Sequence, residues 1–160
     1  GGALLDLGIY PLSFTWDLLG APADVVARAR LGETGADTEI ATILSYASGA
    51  IATSISSSRG AGPNTASVVG TLGRIDVDRV WYTPTSFRVT ANDGTVIETF
   101  STIPEGRGMQ FQAFEAERLI AAGQTDSAIL PIDETVAIMA CLDDIRAQIG
   151  LAYPGERTAD

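Results

Sequence analysis

Two side chains near the start of the chain have the types and the spacing for proton transfer. Asp6 and Tyr10 are four residues apart, so on a helix their side chains lie one turn apart on the same face. They form the one plausible proton-transfer constellation in the sequence. An Asp near a helix start is also typical of a cap, and a Tyr at this spacing is typical of packing with a solvated hydroxyl. The spacing alone is compatible with both interpretations.

The segment that carries this pair has the pattern of a helix that is buried along one side. Its polar residues run beside an apolar stripe of helical period, which predicts an opening helix that ends at Gly20. Pro11 cannot donate a hydrogen bond to the carbonyl of Leu7, and Gly8 is close by, so we expect a kink or a restart in this region. The stripe consists of Leu5, Ile9, Leu12, Trp16 and Leu19.

Length and charge restrict the class of protein. The chain has 160 residues, of which 46% are hydrophobic, and this is enough for one folded domain with its own core. The formal net charge of -10 repels phosphate backbones, so we expect no nucleic-acid partner. No apolar run approaches the roughly 20 residues that cross a bilayer, so we expect no membrane partner. We expect a cytoplasmic protein.

Missing residue types exclude several kinds of chemistry within the chain. There is no His, the one Cys is Cys141, and all ten basic residues are Arg. These absences exclude a disulfide scaffold, thiolate or imidazole metal sites, Ser-His-Asp and Cys-His relays, and lysine chemistry. We therefore predict no metal site. The last-helix carboxylates Glu134, Asp143 and Asp144 are more simply interpreted as solvated than as ligands.

The middle of the chain has the alternating pattern of β-strands, and the end has the pattern of two helices. Asn92, Asp93 and Gly94 predict a tight hairpin turn, because these residues tolerate positive φ. We predict helices over residues 109–122 and from about Asp133 onward, with Asp133 or its neighbour as the cap. The predicted strands cover residues 23–31, 37–46, 50–58, 64–70, 74–80, 87–91 and 95–100.

This order of elements predicts an α+β fold, with an open, largely antiparallel sheet of six to seven strands and helices packed on one face. The alternation of strands and helices that marks a Rossmann domain is missing. In the third strand, Ile51, Thr53 and Ile55 point one way, and the small residues of the other face can be solvated or can lie against another sheet. We expect self-association through this second face, which consists of Ala50, Ala52, Ser54 and Ser56.

Beyond these patterns, the sequence resembles the C-terminal domain of the Gfo/Idh/MocA oxidoreductases. The opening run Gly-Gly-Ala-Leu-Leu-Asp-Leu-Gly-Ile-Tyr, at residues 1–10, matches the start of that domain. Further motifs are similar to the branch that contains dimeric dihydrodiol dehydrogenase and NADP-dependent xylose dehydrogenase. These motifs lie at residues 33–37, 64–73, 130–134 and 145–154, so the resemblance covers nearly the whole chain.

The resemblance implies a fold and roles for the two residues of the pair. It implies the open-sheet C-terminal domain found also in glyceraldehyde-3-phosphate dehydrogenase-like proteins, here over residues 1–155 with a tail at 156–160. Tyr10 matches the proton donor or acceptor at the substrate hydroxyl or carbonyl, and Asp6 matches the acid beside it. The cofactor, NAD or NADP, is bound in this family mainly by an N-terminal Rossmann domain. We expect this chain to lack that domain and the Lys that works with the Tyr, and to bind cofactor poorly by itself.

The resemblance therefore implies a function for a larger protein. The chain is expected to be the substrate-binding and oligomerisation half of an NAD(P)-dependent oxidoreductase that acts on a sugar, polyol or dihydrodiol, and to be inactive alone. Its expected partners are that substrate, its own Rossmann domain and a second copy in a homodimer formed through the open sheet face. The alternative is a non-catalytic module of a regulatory relative, which uses the sheet only for dimerisation or binding.

Overall fold

The structure is a computed structural model that describes residues 2–102, 106, 108–153 and 155–156. It contains a helical start, seven strands and two later helices. The first strands are β1 (Asp24–Leu31), β2 (Asp37–Ser45) and β3 (Ile51–Ser57). The others are β4 (Ala66–Val69), β5 (Gly73–Val77), β6 (Phe87–Ala91) and β7 (Val96–Phe100). The helices are a π-helical turn (Leu4–Gly8) that continues as α1 (Ile9–Leu19), then α2 (Gln110–Ala121) and α3 (Ile132–Ile149).

The opening helix is irregular, as the sequence predicts. Its first five residues, Leu4–Gly8, form a π-helix, in which each hydrogen bond spans one residue more than in an α-helix. Regular α-helix begins at Ile9, so Pro11 falls in its first turn, where a missing N–H does little harm. The helix ends at Gly20, whose φ of 78° suits a residue without a side chain.

The chain forms two compact units, and the first consists of Gly1–Gly60 with Ala128–Asp160. Its sheet has the antiparallel order β1-β2-β3. The inward face of this sheet, together with the opening helix and α3, forms the core, so both helices pack on one face of the sheet as predicted. The buried hydrophobic residues of this core are Ala3, Leu4, Leu12, Ala27, Ile40, Leu44, Tyr46, Ile138, Leu142 and Ile145.

The buried and exposed faces of β3 are the reverse of those that the sequence prediction of self-association requires. Ser56 is buried on the inward face, and Ala52 packs against the core. Ser54 also faces inward, where its hydroxyl lies 2.8 Å from that of Thr42. The small side chains leave room for the opening helix, and so the face that remains exposed is the one with Ile51 and Ile55. The prediction that the small-residue face is the outer surface is therefore wrong.

Helix α3 packs through the predicted stripe. Ile138, Leu142 and Ile145 are buried, at the i, i+4, i+7 spacing of one helix face. The N-cap is Pro131 and no side chain caps the helix, so the prediction that Asp133 or its neighbour is the cap is wrong. At the other end, Gln148 accepts a hydrogen bond from the Ala27 N–H at 3.1 Å and donates one to the Val25 carbonyl at 2.9 Å, which satisfies the edge of β1.

The second unit, Ala61–Ser127, contains the antiparallel sheet β4-β5-β6-β7 and helix α2. The predicted hairpin turn is confirmed: Gly94 has a φ of 89°, and the Thr95 N–H donates to Asp93 Oδ1 at 2.8 Å. The rings of Phe87 and Phe100 stack at 5.1 Å on the paired strands β6 and β7.

The α+β class and the antiparallel pairing are thus confirmed, with seven strands among the described residues. Their hydrogen bonds form a three-stranded and a four-stranded sheet, where the sequence suggests a single one. The link between β3 and β4 contains Gly60, Gly62 and Pro63, and proline has no N–H for a ladder. The predicted tail at 156–160 lies almost wholly outside the described residues, which include only Glu156 of it.

Candidate active site

The opening helix buries one side and leaves Asp6 and Tyr10 on the other. Leu4 and Leu12 are buried, and Ile9 packs against the same core. Asp6 is exposed, and Tyr10 retains 46% of its accessible surface. The structure therefore places both predicted site residues on the solvent-facing side of a helix whose opposite side is anchored. A substrate or a second domain can reach them there.

The helix lies close against the sheet at Gly8. This glycine is buried, and a Cβ added to it would lie 3.3 Å from Leu4 Cδ1 and 4.0 Å from the Ser56 hydroxyl oxygen. A larger residue here would push the helix away from β3. The contact fixes the backbone between Asp6 and Tyr10, which carries both side chains.

A second carboxyl group, that of Asp37 at the start of β2, holds the beginning of the opening helix. The Leu4 backbone N–H donates a 2.6 Å hydrogen bond to Asp37 Oδ2, and Asp37 is only 1% exposed. The first N–H groups of a helix have no partner within the helix, and the local cap residue Ala3 has no side chain that can accept. Asp37 thus supplies a cap from a strand 33 residues away in the sequence.

An irregularity in the sheet turns Asp37 inward. The strand register shifts so that Arg30 pairs with Glu39 and Leu31 pairs with Asp37, which leaves Thr38 as an extra residue. Such a β-bulge re-aims the side chains that follow it. Strict alternation with the inward-facing Ile40 would have placed Thr38 in the interior instead. From sequence, Asp37 is the start of a predicted strand and the last residue of the motif at 33–37, and neither feature predicts a buried cap for the opening helix.

The described residues give no sign of a metal centre or a membrane segment. In that part of the chain, no three His, Cys, Asp or Glu side chains are grouped so as to hold a metal ion. No helix within the described ranges has the length and apolar character to cross a bilayer. The site is therefore built from Asp6 and Tyr10 on the helix surface and Asp37 beneath the helix start.

Comparison with known proteins relates this arrangement to one family. The family model described as GFO/IDH/MocA C-terminal domain matches residues 1–76, a segment that includes Asp6, Tyr10 and Asp37. A trans-1,2-dihydrobenzene-1,2-diol dehydrogenase from Xenopus laevis is 31% identical over 96% of this chain and 48% of its own length. A D-xylose 1-dehydrogenase (NADP(+)) from Hypocrea jecorina is 31% identical over 100% of this chain and 46% of its own.

Solved structures share the fold. A 3-ketoreductase from Actinomadura kijaniata, in complex with NADP and TDP-benzene, superposes with a TM-score of 0.77 at 21% identity, over 93% of this chain and 48% of that one. The aldose-aldose oxidoreductase of Caulobacter crescentus gives a TM-score of 0.76 at 21% identity, over 92% and 45%. The chain spans about half the length of the relatives that it matches, at 48% of the first.

Proposed function

Because this chain carries the C-terminal domain of the Gfo/Idh/MocA oxidoreductases, we propose that it forms the substrate-binding half of an NAD(P)-dependent dehydrogenase. The observation that carries this proposal is the position of Tyr10 and Asp6. Both are accessible, on a helix whose other side is buried, and both lie inside the segment that matches the family model. A helix anchored in this way can hold a phenol at a fixed place beside a substrate.

In this proposal, Tyr10 transfers the proton and Asp6 orients the groups around it. During oxidation, the hydroxyl proton of a secondary alcohol passes to Tyr10 Oη as the adjacent carbon loses a hydride. In reduction, Tyr10 returns the proton to the new hydroxyl oxygen. A tyrosine ordinarily titrates near pH ~10, so a nearby cation is needed to stabilise its phenolate at neutral pH. The chain has no Lys, and the resemblance assigns this cation to a Lys of the nucleotide-binding half.

The hydride chemistry belongs to a nicotinamide cofactor, NAD or NADP. The sequence contains no G-x-G-x-x-G pattern of the kind that holds a pyrophosphate at a helix start, so its residues do not fit the nucleotide end. The exposed helix face fits the reacting end, because Tyr10 is accessible from outside this unit. We assign cofactor binding mainly to a Rossmann domain joined to this chain, and we expect the chain alone to catalyse no reaction.

The substrate class follows from the relatives' activities. Those with the highest identity given above act on a dihydrodiol and on D-xylose. A sugar, a polyol or a dihydrodiol presents the secondary alcohol that the Tyr10 mechanism requires. The test joins this chain to its nucleotide-binding half and follows reduction of NADP or NAD with trans-dihydrobenzenediol and D-xylose. Turnover with either substrate that is absent from the isolated chain supports the proposal, and failure with both substrates and both cofactors contradicts it.

We also propose a homodimer through the outer face of the first sheet. Ile55 is 83% exposed, and Val26, Ile43 and Ile51 are exposed on the same face of adjacent strands. Exposed apolar side chains grouped on one sheet face are typical of an interaction site, and two sheets can pack face to face through such a surface. This is the open sheet face of the sequence prediction, with the isoleucine side of β3 in place of the small-residue side.

Sedimentation of two variants tests the dimer. Ile55→Glu places a charge at the centre of the proposed interface and should give monomers at micromolar concentration. Ile129→Glu is the matched control, since Ile129 is also exposed in the same unit but lies outside the sheet. The proposal predicts that wild type and the control sediment as dimers. A monomeric wild type would refute the interface.

The alternative function shares the dimer face. A non-catalytic dimerisation or binding module would use Ile51 and Ile55 in the same way but would place no requirement on Tyr10. Exposure of the apolar face is the observation that favours this alternative. Turnover that depends on Tyr10 decides between the two. For both functions we propose a cytoplasmic location, in keeping with the single, partly buried Cys141.

A further inference from the structure

The strongest feature outside the proposed reaction is the buried carboxyl group of Asp37. It is almost fully buried, yet among the described residues its carboxyl group accepts a single hydrogen bond, from the Leu4 N–H to Oδ2 at 2.6 Å. The other oxygen, Oδ1, is buried and makes no hydrogen bond within the described part of the chain. Burying a carboxyl group with one oxygen unpaired costs free energy, which indicates that Asp37 has a role at this position.

The approach of Asp37 to the chain start requires glycine at position 2. A Cβ on Gly2 would lie 1.7 Å from Asp37 Oδ1 and 2.6 Å from its Cγ. No side chain fits at these distances, because real contacts of this kind are about 3.5–4.0 Å. The backbone before the opening helix is therefore in direct contact with the carboxyl group, and any movement of Asp37 moves the helix start.

The segment that follows α3 comes near Asp37 at Tyr153. The Tyr153 hydroxyl is buried, and burial first, then the nearby charge of Asp37, raises the pKa of this phenol above its ordinary value of 10.0. The Arg146 guanidinium lies over the Tyr153 ring, 4.6 Å from its centre, and bonds Asp143 and Glu156. Asp37 is thus buried, in contact with the chain start at Gly2 and Leu4.

We propose that Asp37 is a positioning residue for the dehydrogenase reaction, which fixes the first turn of the opening helix and thereby the places of Asp6 and Tyr10. The inference rests on the proposed function for its effect on catalysis. Asp6 follows Leu4 by two residues, and the Asp6 N–H bonds the Gly2 carbonyl at 3.1 Å. Release of the Leu4 N–H therefore loosens the turn from which Asp6 projects. Small displacements of groups that transfer protons have large effects on rate.

The first experiment uses the full-length oxidoreductase and compares Asp37→Ala with Gln148→Ala. Gln148 also bonds the backbone through its side chain in the same unit, but its partners lie in β1. For Asp37→Ala we expect kcat to fall on the order of 100-fold while the KM and the cofactor affinity change little. For Gln148→Ala we expect lower thermal stability and an unchanged kcat. Asp37→Asn keeps an oxygen for the Leu4 N–H and should recover much of the lost kcat.

A second measurement does not depend on the reaction. Amide hydrogen exchange of Leu4 and Asp6 should become faster in Asp37→Ala and stay unchanged in Gln148→Ala. If exchange is faster but the enzyme has no dependence on Tyr10, the proposed function fails while the anchoring by Asp37 stands. If Tyr10 is required and Asp37→Ala has wild-type kcat, the function stands and the positioning role is overturned. Unchanged exchange at Leu4 also overturns it.

The close contact with Gly2 supplies a variant for the case in which Asp37→Ala does not fold. Gly2→Ala alone places its Cβ on Asp37 Oδ1, whereas in the double variant Gly2→Ala/Asp37→Ala that oxygen is gone. We expect the double variant to be more stable than Gly2→Ala alone, a coupling that distant sites do not show. Additive losses would mean that Asp37 does not contact the chain start, and would refute the inference.

Discussion

Replacement of Leu142 by alanine should destabilise the first unit through loss of core packing. Leu142 is 1% exposed and occupies the middle of the buried stripe of α3, between Ile138 and Ile145. The change removes about three methylene equivalents, and at ~0.8 kcal/mol each the lost burial is about 2.4 kcal/mol. The cavity adds to this loss, so we expect a decrease of about 3–4 kcal/mol in the free energy of unfolding.

Met139→Ala is the matched control, because Met139 lies one turn earlier on the same helix and is 42% exposed. It should cost no more than about 1 kcal/mol. Denaturant unfolding followed by the fluorescence of Trp16, which packs against this core, measures both variants. A Trp81→Phe background leaves Trp16 as the one tryptophan, since the sequence has two. Equal losses for Leu142→Ala and Met139→Ala would refute the packing of α3 through this stripe.

Two further predictions concern titration. The guanidinium of Arg118 first, then the Ser127 hydroxyl, lowers the pKa of Glu115 from 4.5 to about 2. Because this pKa is depressed in the folded state, its contribution to stability is complete above pH 4.5 and is lost as the pH falls toward about 2. NMR titration of the Glu115 carboxyl checks this, and a midpoint near 4.5 would contradict it. Burial, and then the charge of Asp144, raises the pKa of the Cys141 thiol, so iodoacetamide at pH ~8 should alkylate the native protein more slowly than the unfolded chain. Equal rates would count against this environment.

Much of the fold could be predicted because local patterns determine it. The alternation of apolar and polar residues predicts the strands. The β6–β7 turn could be located from sequence because glycine tolerates the positive φ that Gly94 adopts there. The stripe of Ile138, Leu142 and Ile145 follows from helix geometry alone. In each case the information lies within a few residues of the element that it determines.

Features that depend on distant contacts could not be predicted in this way. Alternation shows that Ile55 and Ser56 face opposite sides of β3, but which side is covered depends on where the opening helix packs. Pro131 is the N-cap of α3 and no side chain caps the helix. This helix start could not be predicted locally, because Asp133 is the better cap by residue type. The division of the strands between two sheets depends on which edges remain unpaired.

The candidate site contains one feature that a local pattern predicts and one that depends on a distant contact. Helix periodicity alone places Asp6 and Tyr10 on one face, and the structure puts both at the surface. The hydrogen bond from Leu4 to Asp37 joins residues 33 positions apart and requires a bulge at Thr38, which no sequence period reveals. The shared helix face of the proposed pair could thus be predicted from sequence, whereas the contact of Asp37 with the helix start could be found only from the structure.

The proposed requirement for the Tyr10 hydroxyl in catalysis is the central claim of the proposed function. In the full-length protein, Tyr10→Phe keeps the ring and removes the oxygen to which we assign proton transfer, and Tyr82→Phe is the control because Tyr82 is a tyrosine of similar exposure in the other unit. General acid–base catalysis contributes about 100-fold or more to the rate. We predict that Tyr10→Phe lowers kcat by at least that factor, with cofactor affinity unchanged and with Tyr82→Phe fully active. A Tyr10→Phe enzyme with kcat near that of wild type would contradict the assignment of this helix to the active site.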